Sequence, residues 1–125
     1  MKSRITVDYI RLIHRYAILM KKGEESLMDA VRYEPDLDFL CMKLEMISDP
    51  LERSATALYE VAYNHPFVEG NKRTALILCE NLLEGDLHIS AKESDIYDYV
   101  MQVARGERTI DEIIIWLKAN TSSSE

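Results

Sequence analysis

Nine consecutive residues, His65-Pro66-Phe67-Val68-Glu69-Gly70-Asn71-Lys72-Arg73, put an imidazole, a carboxylate, a side-chain amide and two cations into one short stretch. Gly70, having no Cβ, lets the backbone turn with φ > 0 and come close to a phosphate. Asn71 adds an amide donor, Lys72 a point charge and Arg73 a fork that suits phosphate oxygens. Glu69 would repel a bare phosphate. It has a place if it holds a magnesium ion that also binds the phosphates, because Mg²⁺ is usually held by one or two carboxylates plus substrate oxygens. His65 is then the group to take a proton from an attacking hydroxyl, histidine being the side chain that accepts protons near neutral pH.

Two helices must carry this stretch. Before it, Leu51, Ala55, Leu58 and Ala62 recur on one face at helical spacing. Asp49 serves as cap, Pro50 suits the first helical position, and Glu52 stands at the capping-box distance. Pro66 disfavours the α region at His65, so the helix should stop near Asn64 and leave His65 extended at its exit. After the stretch, Ala75, Leu78, Cys79, Leu82 and Leu83 trace a second apolar face that Gly85 ends. Glu69 to Lys72 therefore fall where the second helix begins, with unpaired N–H groups and the positive end of the dipole. An anion site is expected there.

Taken singly, these residues have ordinary explanations. A histidine before a proline is usually a turn residue, and a Lys-Arg pair at a helix start is usually solvated. Their joint occurrence at fixed spacing with Gly70 and Asn71 argues for function. Phe67 is expected to anchor the loop in the core and leave the chemistry to its neighbours. A Walker-type phosphate loop is excluded: only Gly70 precedes Lys72, no Ser or Thr follows it, and the stretch follows a helix where that motif needs a strand.

The string HPFVEGNKR resembles the signature of the Fic/Doc family, HPFx[DE]GN[GK]R, and agrees with it at every fixed position. The resemblance implies an all-α bundle in which His65 is the general base and Glu69 holds the metal. It assigns phosphate binding to Gly70, Asn71, Lys72 and Arg73, with ATP as co-substrate. AMP-transferring Fic enzymes typically carry Gly after the Asn and a second Arg three residues beyond the first; Lys72 and Leu76 stand in those places here. Both departures resemble the Doc-type toxins of toxin–antitoxin pairs, which implies transfer of a phosphoryl group to a protein hydroxyl, with elongation factor Tu as the kind of target. AMP transfer from the same pocket is the nearest alternative, and a catalytically silent binding module a second. Many Fic-type enzymes are restrained by a [ST]xxxE[GN] helix. That spacing occurs at Thr56 to Glu60 and Thr121 to Glu125, but neither Glu precedes Gly or Asn. A separate antitoxin supplying the inhibitory helix is therefore the expected partner.

Composition agrees with one enzyme-sized unit. The 125 residues, 47% hydrophobic, suffice for a single domain over 1–125 with a core that needs no staples. A formal charge of −7, from 22 acidic and 15 basic residues, argues against a broad electrostatic grip on nucleic acid or an anionic membrane. Cys41 and Cys79 form no metal spacing and read as free thiols in a reducing compartment. With no run of about 18 apolar residues, a cytoplasmic location is expected.

The rest of the chain reads mainly as helix. Thr6 caps a stripe of Ile10, Ile13, His14, Ala17 and Met20, which closes at Lys21 to Gly23, and His14 reads as a packing histidine. A short helix is expected from Ser26, with Asp29 at the capping-box distance and Leu27, Ala30 and Val31 on its face, ending before Pro35. Between Tyr33 and Ile47 the apolar residues fit neither period. The resemblance implies a flap before the central helix, while the pattern equally allows a helix with methionines filling core gaps. Asp86 to Ile89 suggests a short extended piece. Ser90 with Glu93 and Thr109 with Glu112 mark two final helices, and residues 121–125 a frayed polar tail. An all-α bundle of about six helices results.

Overall fold

The computed structural model describes residues 5–20, 27–28 and 30–123. They form six α-helices, α1 (Val7–Leu19), α2 (Glu34–Met46), α3 (Pro50–Asn64), α4 (Asn71–Asn81), α5 (Glu93–Ala104) and α6 (Ile110–Asn120), with two-residue strands β1 (His88–Ile89) and β2 (Thr121–Ser122). The architecture is all-α, as expected.

α3 is the axis, packing against α2, α4, α5 and α6, while α1 lies on α4. Small and apolar residues let the neighbours approach it from every side: Ser54 through Leu58, Val61 and Ala62 are buried. Its start follows the sequence signals, with Asp49 Oδ2 accepting from Glu52 N at 2.9 Å and Pro50 in the first turn. Thr6 caps α1 through Tyr9 N, and Thr109 with Glu112 forms a complete capping box on α6. The Ser90–Glu93 pair does not cap α5. Lys92 occupies that N-cap, and Ser90 instead bonds the Asn120 carbonyl through its N–H at 2.7 Å.

Three further expectations are corrected. No flap occupies residues 33–47, because α2 runs through them. Leu37, Leu40, Cys41 and Leu44, at spacing i, i+3, i+4, i+7, are its buried face. Phe39, Met42 and Met46 lie exposed on the other side, so the methionines fill no core gap. With apolar residues on both faces the helical period is hard to see. Arg53 Nε donates to the Leu44 and Ile47 carbonyls at 3.1 and 2.8 Å, and Lys43 pairs with Glu60 at 2.7 Å; both contacts tie α2 to α3.

The short helix expected from Ser26 is the second correction. Ser26, Asp29 and the closing residues 21–23 of α1 lie outside the described residues; Leu27 is in a 3₁₀ turn, as its place in a short helix implies, but Ala30 and Val31 are not helical. Val31 instead bridges Phe67 in antiparallel fashion, with Arg32 N donating to Pro66 O and Val68 N to Ala30 O, each at 2.9 Å. Third, the tail is not frayed at Thr121 and Ser122, which pair with Ile89 and His88.

Both cysteines lie in the core. Burial pushes the Cys79 thiol up to about 12, and burial together with Asp38 and Glu45 pushes Cys41 up to about 11. The thiolate is the reactive form, so raised values suppress reaction at neutral pH. Iodoacetamide at pH 8 should leave Cys79 unmodified in the folded protein and alkylate it in about 6 M urea. Rapid native labelling, read by peptide mass, would contradict the packing of α4.

Candidate functional site

The turn from α3 to α4 is built from two left-handed residues. His65, the C-cap of α3, has φ 54° and ψ 62°, and Gly70, the N-cap of α4, has φ 80° and ψ 14°. Pro66 does exclude His65 from the right-handed α region, but the backbone moves to the left-handed one and not to the expected extended one. That state is uncommon for a residue with a Cβ. It lets His65 N–H still bond Val61 O at 3.3 Å, closing the helix as a glycine commonly would.

The imidazole of His65 is half-buried, and its Nδ1 lies 2.6 Å from Tyr63 O. A carbonyl can only accept, so Nδ1 carries a proton, and in the neutral ring the lone pair is on Nε2. The ring is therefore held in the tautomer a base requires. Arg32 Nη1 donates to His65 O at 3.3 Å, and the bridge at Val31 holds the next two residues from the same side.

Between the two left-handed residues the loop is closed from inside. Asn71 is buried; its Oδ1 accepts from Phe67 N at 2.9 Å and its Nδ2 donates to Phe67 O at 2.8 Å. Both atoms of its side-chain amide thus bond the loop's own backbone, and its main-chain N–H lies at the start of α4. Phe67 is fully buried, its ring stacked on His14 with centroids 3.7 Å apart and planes 4° from parallel.

The start of α4 is open. The first intrahelical bond runs from Thr74 N to Gly70 O at 2.9 Å, and no side chain caps the helix. The N–H groups of Asn71, Lys72 and Arg73 therefore lack intrahelical acceptors at the positive end of the dipole. Glu69 and Lys72 are exposed beside them. One Glu69 oxygen, Oε1, accepts from Gly70 N at 3.2 Å, so a carboxylate already sits at this helix start. Arg73 is half-buried and donates from Nη1 to Ala17 O of α1 at 2.8 Å, which leaves Nη2 and Nε to meet an anion. Gly70 is favoured by its positive φ, and a Cβ there would lie 3.0 Å from Ile18 Cδ1, the tip of a side chain that would have to shift.

Among the described residues no group of three His, Cys, Asp or Glu side chains could hold a metal alone. A lone exposed carboxylate beside a helix start with free N–H groups does fit a hard divalent cation that takes its remaining ligands from a nucleotide.

Sequence reasoning missed three contributors to this geometry. His14 was visible only as a histidine on an apolar stripe. The pairing of residues 30–32 with 66–68 and the grip of Arg32 on the His65 carbonyl left no periodic signal. The spacing of Thr56 and Glu60 reflects packing: Thr56 is buried, and Glu60 receives hydrogen bonds from Lys43 at 2.7 Å and Asn64 at 2.5 Å.

A model of the Fic/DOC family matches residues 4–83, well over half of the sequence and all of this site. The chain belongs to the Fic/DOC family. Members of this family generally use ATP with a metal ion to modify protein targets. Comparison with curated proteins gave no match. No helix among the described residues is long and apolar enough to cross a membrane.

The two bonds between Asn71 and Phe67 should make Asn71→Ala costly, since it strands a buried N–H and a buried C=O. A loss of roughly 2 kcal/mol or more is expected in urea unfolding. A loss below about 0.5 kcal/mol would show that the loop closes by other means.

Proposed function

We propose that this protein transfers the γ-phosphoryl group of ATP to a hydroxyl of a protein substrate. The observation that carries the reading is the hydrogen bond from His65 Nδ1 to Tyr63 O, which reserves Nε2 as a base in the same loop that leads into the open N-terminus of α4. In the transfer, Nε2 takes the proton of the substrate hydroxyl while its oxygen forms a bond to the γ-phosphorus. The bond to the β-phosphate oxygen breaks and ADP leaves. The main-chain N–H groups of Gly70, Asn71 and Lys72, with the side chains of Lys72 and Arg73, hold the phosphates and offset charge that grows in the transition state. Glu69 is the residue to hold Mg²⁺. The metal, when bound with the nucleotide, neutralises phosphate charge.

The choice of phosphoryl over AMP transfer rests on Leu76. It stands where AMP-transferring relatives of the signature carry a second arginine, and it packs its half-buried side chain against the core. One phosphate contact is thereby absent. The same subclass likeness supports a Doc-like role in the cytoplasm as a single-domain toxin, with an elongation factor such as elongation factor Tu as target. A separate antitoxin would supply the inhibitory helix, since Thr56 is buried and Glu60 is tied to Lys43 of α2.

His65→Ala should lower transfer by about 10²- to 10⁴-fold while leaving nucleotide binding within about twofold of the parent. Transfer at the parent rate would remove His65 as the base. Parallel reactions with α- and γ-labelled ATP separate the chemistries: label retained on protein only from the γ position is expected, and retention only from the α position would establish AMP transfer. No label from either position, with folded protein and a suitable extract, would favour a silent binding module.

A further inference from the structure

α1 stands apart in sequence from the loop, yet its last two turns touch it at three points. Ala17 O receives Arg73, Ile18 closes the space against Gly70, and His14 reaches Glu69. The last contact has a directional consequence. His14 is completely buried, and its Nε2 lies 2.8 Å from the Glu69 carbonyl oxygen. Since the carbonyl accepts, Nε2 is the protonated nitrogen. In a trans peptide the C=O of one residue and the N–H of the next point in opposite directions. Drawing Glu69 O inward to His14 therefore turns the Gly70 N–H outward, toward the solvent-facing side where the Glu69 carboxylate meets it.

We infer that His14 is a positioning residue for the phosphate site: by fixing the peptide plane between Glu69 and Gly70, it aims the Gly70 N–H at the anion and sets the root from which the Glu69 side chain projects. The inference rests on the phosphate-binding reading of the loop given above. The stack of His14 on Phe67 supplies an independent constraint, because it fixes the imidazole plane and with it the direction of the Nε2–H. A purely packing ring at this place would satisfy Phe67 equally well and leave the peptide plane free to turn. Gly70 adds to that freedom, since its φ is the one in this loop without a steric restraint from Cβ.

The test separates ring from donor. His14→Phe keeps an aromatic ring against Phe67 and removes the hydrogen bond, whereas His14→Gln gives up the ring and keeps an N–H donor at a similar reach. Each is titrated with magnesium AMP-PNP, following the Gly70 amide resonance, and assayed for transfer from ATP. His14→Phe is expected to bind roughly tenfold more weakly, with the Gly70 amide shift reduced, and His14→Gln to recover most of both. Should His14→Phe fail to fold, His14→Leu, which also lacks a donor, takes its place in both measurements. Parent-like binding and transfer by a folded donor-free variant would overturn the role of His14 and leave the proposed function standing. So would a folded His14→Gln as poor as His14→Phe. If the parent neither shifts its Gly70 amide nor transfers label, the phosphate-binding reading falls, and the role of His14 falls with it.

Discussion

The structure depends on how the chain reverses between α3 and α4 without leaving backbone polar groups stranded in the core. Asn71 solves this by bonding both the N–H and the C=O of Phe67, so the ring four residues upstream can be fully buried although the segment between is irregular. Buried backbone groups must find partners, and a loop cannot supply them by a regular ladder. With the inner bonds closed, the outer edge of the same turn keeps its N–H groups for another purpose. One residue's amide therefore separates a packed inside from an outer edge with free N–H groups.

That division lets a chain of net charge −7 keep a locally electropositive helix start, as the proposed phosphate binding needs. The attraction is local. It comes from main-chain N–H groups at the head of α4, from Lys72 and from Arg73, whose guanidinium is steadied by the carbonyl end of α1. Oriented dipoles of this kind act over a few ångströms and do not depend on the overall balance of charge. The Glu69 carboxylate already meets the Gly70 N–H at this helix start. A metal-bound nucleotide arriving there would exchange one anion for another.

The left-handed backbone at His65 matters for a related reason. A right-handed residue would continue α3, and an extended one would leave the last turn of the helix open. The left-handed state ends the helix while Nδ1 meets a carbonyl only two residues back. Conformational strain at His65 is tolerated because Val31, Arg32 and Pro66 hold the flanking backbone in place.

Much of the fold was legible because it is encoded locally. The capping residues Thr6, Asp49 and Thr109, the buried faces of α3 and α4 and the order of the site residues all follow from spacing along the chain. Where contacts between distant segments decide, the sequence was silent or misleading. α2 hid its period because Phe39, Met42 and Met46 put apolar side chains on its exposed face, and Ala30 and Val31 left the helical state to pair with the α3–α4 loop. By itself, then, the sequence determined which residues form the loop and which helices carry it, since turn chemistry and helical spacing act over a few neighbours. Only the tertiary structure decided that Asn71 faces inward, that His65 is left-handed and that His14 meets Glu69 across 55 positions, because those outcomes depend on which partners packing brings within hydrogen-bond reach.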